Sequence, residues 1–345
     1  MKALVKTKPG PGHLELLDIP EPACPPEGVK IKIAYSGICG TDLHIRHDSF
    51  PHIPPVVLGH EFAGVVDEVG EHVSRVKHGD RVLVLPSTAV TCGTCEYCKT
   101  GYYWFCSGRR GMGIGVNGSF TQYAVVREDM VFLLPEHLSL EEAALGEAFA
   151  AAVQAIEELT TIGVGDTVLL SGPGPIGLLC LALLRLKGCK TIVAGTNADS
   201  IRLAIAREMG ADLVVNVEAE SIHAIIERET AGKGVDVAVE CAGAGASVAT
   251  CLKAVKKLGR YVQVGILGKE IMVDFDTILY KQLQVFGSGA HSQKTWEKMM
   301  RILEQGKVDL SPIITHKIPL SDWEHGFVLC ERKEAGKVLL YYDQG

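Results

Sequence analysis

Cys39, Thr41, Asp42 and His44 fall in one short stretch, and His60 and Glu61 stand side by side a little further on. Thiolate, imidazole and carboxylate together are the donor set of a zinc ion in a site that keeps one position open for chemistry. Thr41 adds a hydroxyl next to that site, and His44 is close enough in sequence to pass a proton onward. Any one of these residues alone would read as a buried cysteine or a core histidine. The combination does not, because Gly59-His60-Glu61 sets two polar side chains between apolar runs. Burying a neutral polar group without a partner costs on the order of 2–7 kcal/mol. A metal removes that cost. A second group, Cys92, Cys95, Cys98 and Cys106, has spacings of three, three and eight in a turn-rich loop and can wrap one ion tetrahedrally. Four thiolates leave no open position, so this zinc is expected to be structural.

The elements that must hold these groups read as two kinds of chain. Residues 1–84 carry short period-two runs such as Val29-Lys-Ile-Lys-Ile-Ala, broken by Gly and Pro, as in a β-rich barrel. Ser139-Leu-Glu-Glu is a helix start, and the apolar stretch Ala143–Ile156 predicts one helix with Glu147 as its lone carboxylate. From Asp166 the pattern changes. The continuous apolar strand Asp166–Ser171 runs into Gly172-Pro-Gly174-Pro175-Ile176-Gly177 and then a helix. Glycines between strand and helix let the backbone approach a pyrophosphate on the helix N-terminus. Strands and helices then alternate, with helices predicted at Ile201–Met209, Ile222–Thr230 and Ala246–Leu258 and a strand at Tyr261–Ile266. That is a doubly wound parallel sheet.

The totals agree with this reading. A chain of 345 residues is long for one core, and a net charge of −7 provides no basic footprint for nucleic acid. The start, MKALVKTKPGPG, has no apolar leader segment, and the run Ile176–Leu184 is too short to span a bilayer. The expectation is a cytoplasmic protein without membrane or nucleic-acid partners, in which clustered cysteines bind metal rather than form disulfides.

Gly59-His60-Glu61, Gly64, Gly70 and Val73 reproduce the zinc signature of the medium-chain alcohol dehydrogenases, and Cys39-Gly-Thr41-Asp42-Leu-His44 resembles their metal-binding turn, its His one place early. The four-cysteine lobe is similar to that of the dimeric and tetrameric members. The motifs lie nearest to those of the polyol, sorbitol and threonine dehydrogenases. The resemblance implies a discontinuous GroES-like catalytic domain (residues 1–152 and 289–345, lobe 90–108) around a Rossmann domain (153–288). It implies two zinc ions per chain: a catalytic one on Cys39, His60 and one or two of Glu61 and Glu147, and a structural one in the lobe. It further implies hydride transfer between a secondary alcohol and nicotinamide, with Thr41 and His44 relaying the proton, Asp42 orienting His60, and a homo-oligomer, dimer or tetramer. The family's usual residues are replaced by Ala148, Gln154 and, where sorbitol dehydrogenases have an arginine, a segment whose one polar candidate is His291. A zinc-free quinone reductase or a non-catalytic structural relative of the same fold is the alternative.

NAD-binding sheets end their second strand in an acid that binds the ribose hydroxyls. Here that strand ends in Gly195-Thr196-Asn197, with Asp199 beyond it and Arg202 in the next helix. Asp199 either folds back into the gap or caps that helix. With Gly195, Thr196, Asn197 and Arg202 around the ribose, the reading leans to NADP over NAD. His47, His52 and His72 read as surface histidines without partners.

Overall fold

The computed structural model of the protein describes residues 1–343. The alternating segment GVKIKIAYSG forms β1 (Gly28–Gly37), and EFAGVVDEV forms β2 (Glu61–Val69). They pair antiparallel with Gly37 opposite Glu61, which brings the end of one strand and the start of the other to the same place. Between them α1 (Gly40–Arg46) starts on Cys39, whose backbone N–H donates to the Asp42 carboxylate at 2.9 Å. The metal-binding turn and the His60-Glu61 pair therefore converge through sheet register and a helix cap. These strands belong to a seven-stranded sheet that also takes in the chain's last strand, Lys337–Tyr341, with Leu339 opposite Gly37.

The single helix expected over Ala143–Ile156 is broken. Leu140–Ala143 ends at a turn, α2 (Gly146–Val153) follows, and Gln154–Glu158 widens into a π-helical turn. Thr160 accounts for the widening: its hydroxyl donates to the Ala155 carbonyl at 3.0 Å, while Leu159 N–H reaches back to the Gln154 carbonyl.

The apolar strand β3 (Thr167–Ser171), with β4 (Lys190–Gly195), β5 (Leu213–Asn216), β6 (Val235–Glu240), β7 (Val255–Gln263) and β8 (Gln284–Gly287), makes a parallel sheet in the order β5-β4-β3-β6-β7-β8. Such an order reverses direction at β3, where ligands of doubly wound sheets bind. The helix expected to run through Leu258 stops at Ala254, and the strand begins at Val255 instead of Tyr261. Val255 is buried opposite Val235, whereas Leu258 is 70 % exposed with a positive φ of 59°, so an apolar residue there says nothing about a helix face.

The helix α3 (Pro175–Leu186), apolar on nearly every side, packs against α2 and the sheet. One core runs from β2 through α2 and α3 to Trp296, on α4 (Gln293–Glu304). No helix among the described residues is long and apolar enough to cross a membrane.

Candidate metal and cofactor site

Cys39 Sγ, a His60 ring nitrogen and a Glu61 carboxylate oxygen lie within 4.8 Å of one another. His60 and Glu61 are buried, and the buried atoms His60 Nδ1 and Asp42 Oδ1 have no hydrogen-bond partner, standing 3.5 Å apart. One soft thiolate, one imidazole and one carboxylate converging in a closed place fit zinc. Asp42 lies behind His60, where a carboxylate fixes the ring of a metal-binding histidine. Burial by itself would lower the His60 imidazole, but the Asp42 and Cys39 charges hold it well above its usual range.

Glu61 has a partner that no local signal in the sequence marks. Lys337, on the last strand, forms a buried ion pair with it, 2 % and 1 % of the two side chains being exposed. Burial still raises the Glu61 carboxyl, while the same burial on Lys337 is outweighed by Glu61, and its ammonium is raised.

Glu147 lines the same cavity without joining the three ligand atoms. It is held by His291. Trp296 Nε1–H donates to His291 Nδ1 at 2.7 Å, and an indole only donates, so Nδ1 is an acceptor. The proton therefore sits on Nε2, which donates to Glu147 Oε1 at 3.0 Å. Burial raises the Glu147 carboxyl, but the bond from His291 outweighs it and the group ends lowered. Gln154 is tied to the same helix by accepting from Thr295 Oγ1.

Thr41 faces this cavity of about 230 Å³; Trp104, Arg109 and Ile176 also line it. His44, one helical turn on, lies outside it with Nδ1 3.1 Å from the Ser49 hydroxyl. The three histidines expected to lack partners have them. His47 meets Glu331 at 2.9 Å, His72 meets Glu27 at 3.2 Å, and His52 is mostly buried with Nδ1 on the Phe50 carbonyl at 2.9 Å.

The four lobe sulfurs also lie within 4.8 Å of one another, with Cys92 and Cys98 Sγ 3.9 Å apart and all the chain's cysteines free. Backbone N–H groups of Cys92, Cys95 and Cys98 each donate to a neighbouring sulfur at 3.4 Å. The Cys95 N–H in particular draws the Cys92 thiol down to about 6, while burial pushes the Cys98 thiol up to about 11. That donor set suits a closed structural zinc.

Next to Ile176, which lines the cavity, the glycines of the strand–helix turn have separate reasons. Gly172 has φ +101°, and a Cβ there would meet the Ala242 backbone nitrogen at 2.5 Å. A Cβ on Gly177 would lie 2.1 Å from the Gly172 carbonyl oxygen, so the turn and α3 touch. Gly174 caps α3 with open space beside it, next to Pro175 at the first helical position. This is the geometry of a pyrophosphate cradle.

Beyond β4 the outcome is mixed. Asp199 accepts from the Thr196 N–H at 3.1 Å and its hydroxyl at 2.7 Å, closing a capping box on the short turn Asn197–Asp199 that leads into the next helix. Arg202 is buried with Nε on the Ala335 carbonyl at 2.7 Å. The Asn197 N–H donates to Glu218 at 2.6 Å, an acid from the turn after β5.

Residues 25–136 match the alcohol dehydrogenase GroES-like domain and residues 175–305 the zinc-binding dehydrogenase domain. The chain is 38 % identical to a sorbitol dehydrogenase of Halalkalibacterium halodurans over 99 % of each chain. It is 38 % identical to a D-arabitol-phosphate dehydrogenase of Enterococcus avium, over 95 % of this chain and 93 % of the other. A zinc-binding dehydrogenase of Sinorhizobium meliloti 1021, solved bound to NADP, superposes with a TM-score of 0.86 at 29 % identity, covering 99 % of this chain and 98 % of that one. Likeness along the whole length, on a fold that brings Cys39, His60 and Ile176 of the strand–helix turn to one cavity, makes this chain a member of the zinc-dependent medium-chain alcohol dehydrogenases, an oxidoreductase acting on alcohols with a nicotinamide cofactor.

Proposed function

We propose that the protein interconverts a secondary alcohol of the polyol, sugar-derivative or hydroxy-amino-acid type and its ketone in the cavity between the Cys39–His60–Glu61 cluster and Ile176. The observation that carries this is the shared cavity: Cys39, His60 and Ile176 of α3 line the same space. Cys39, His60 and Glu61 hold the catalytic zinc, with Glu147 facing it, and Cys92, Cys95, Cys98 and Cys106 hold a second, structural zinc. A zinc ion bound there supplies Lewis acidity that lowers the pKa of an alcohol oxygen. Thr41 Oγ1 accepts the alcohol proton, and His44, on the outer side of the same helix, is the outward acceptor. Asp42 steadies the His60 ring, and the neutral His291 fixes the Glu147 carboxylate in one orientation. Gly172, Gly174, Pro175, Ile176 and Gly177 cradle the cofactor pyrophosphate, and Gly195, Thr196 and Asn197 border its ribose.

The lean to NADP loses support from the contacts at this end. Arg202 is committed to Ala335, the Asn197 N–H to Glu218, and Glu218 brings a carboxylate to the tip of β4 that opposes a 2′-phosphate. We therefore favour NAD. The division into residues 1–152 with 289–345 and residues 153–288 is supported by the six-stranded parallel sheet falling within 153–288 while the seven- and three-stranded sheets draw their strands, the tail strand included, from the rest. A homo-oligomer is supported by β8, an edge strand with Val285 exposed and with Phe275, Leu279 and Tyr280 exposed just before it; such edges pair with a second copy. A cytoplasmic location fits the same reading.

The test is a panel of polyols, polyol phosphates and threonine with NAD and NADP, read by nicotinamide absorbance, together with a metal count. Two zinc ions per chain and turnover of at least one alcohol are expected. Quinone reduction that survives loss of the Cys39 metal would favour the zinc-free alternative.

A further inference from the structure

Five cations drawn in from solvent have oxygen partners. Lys6 has the Gly10 and Gly12 carbonyls, Lys30 has Glu21, Arg202 has Ala335, Lys281 has three carbonyls and Lys337 has Glu61. Arg109 is different. It sits just past the last lobe cysteine, its backbone N–H on the Cys106 carbonyl at 3.0 Å, and its half-buried guanidinium lies over the Trp104 ring at 4.1 Å. Among the described residues its side chain makes neither an ion pair nor a hydrogen bond, yet it lines the cavity that holds Cys39, His60 and Glu147. Burial lowers the guanidinium, with the Glu147 and Cys106 charges pulling the other way. Stacking on Trp104 uses the flat face of the group and leaves its N–H edge unspent. That edge is a fork that matches a phosphate or carboxylate in bidentate fashion. Of the remaining walls, Phe50, Met112 and Ile114 are apolar, and Thr41, Ser87 and Ser288 provide hydroxyls, none of which carries a charge to meet an anion.

We propose that Arg109 is an anion subsite of the alcohol pocket, so that the preferred alcohol carries a phosphate or carboxylate at the end away from the reacting hydroxyl. This rests on the reading above that alcohols react in this cavity. The test uses the zinc-loaded protein with its cofactor and two matched pairs, arabitol against arabitol 5-phosphate and butane-2,3-diol against 3-hydroxybutanoate. The parent should prefer the anionic member of one pair by on the order of tenfold to a hundredfold in kcat/KM, and the pair that shows it identifies phosphate or carboxylate. Arg109→Met should collapse that ratio toward one, and Arg109→Lys should restore part of it. Trp104 fluorescence should respond to inorganic phosphate or acetate in the parent and lose the response in Arg109→Met. Equal use of both members by the parent, an equal loss on both in Arg109→Met, or an effect confined to the KM of the cofactor would each overturn the proposal. If no alcohol turns over, the failure lies with the alcohol-site reading, and the fluorescence titration alone decides whether Arg109 binds an anion.

Discussion

Lys337→Met removes the cation from the most buried charge pair at the metal site. Its ammonium and the Glu61 carboxylate have 2 % and 1 % of their side chains exposed, so water cannot take over when one partner goes. Breaking such a pair costs about 3–5 kcal/mol, because a buried charge is left without compensation. Met nearly fills the volume of the lysine stem, so cavity formation adds little. At about 2–3 °C per kcal/mol for a chain of this size, the first thermal transition should fall by roughly 6–15 °C. The double variant Glu61→Leu/Lys337→Met replaces both charges with apolar groups and should recover most of the loss, since that exchange is often neutral or better. It should also bind one zinc ion fewer, whereas saturating zinc should raise the midpoint of Lys337→Met by more than that of the parent, the metal supplying the missing positive charge. Scanning calorimetry with metal analysis reads all of this. A single variant melting within about 2 °C of the parent, or a double variant melting as low as the single, would refute the argument that desolvated charge sets the cost.

Cys95→Ser should lower the melting midpoint and remove one of two zinc ions, because metal binding at a structural site is folding free energy; unchanged melting with one zinc fewer would remove the structural role. Asp199 is raised by burial but lowered more by the Thr196 hydrogen bonds, so its folded value lies below its unfolded one. Its contribution is present above an unfolded value of about 3.9 and is lost as pH falls through the lower folded value. Asp199→Asn should therefore cost about 1–3 kcal/mol at neutral pH, with parent and variant melting curves converging near or below about pH 3; a gap that persists there would exclude charge as the cause. Glu218→Lys should move cofactor preference toward NADP by on the order of tenfold, as repulsion of a 2′-phosphate becomes attraction; an unchanged ratio of catalytic efficiencies would place Glu218 away from the ribose.

The candidate donors of this protein were legible in short stretches, because they are local. Cys39 with Thr41, His60 with Glu61, the four lobe cysteines and the glycines from Gly172 to Gly177 each act over a few residues of backbone, and their spacing is itself the geometry. The parallel sheet was legible for a similar reason, since strands buried on both faces must be continuously apolar. The tertiary structure alone decided everything that depends on residues far apart in the chain. Lys337 reaches Glu61 only because the last strand pairs with Gly37. His291 acquires a fixed tautomer only because Trp296 is packed against it, and only then can it hold Glu147. Arg202 turns away from its expected part because the Ala335 carbonyl claims it, and the turn after β5 brings Glu218, which the sequence did not mark, to the Asn197 N–H. Helix ends escaped the sequence where a side chain or a partner strand intervened, Thr160 at the widened turn and Val235 opposite Val255. Periodicity reports which face of an element is apolar, but the partner that each polar group finds is set by the packing of distant segments.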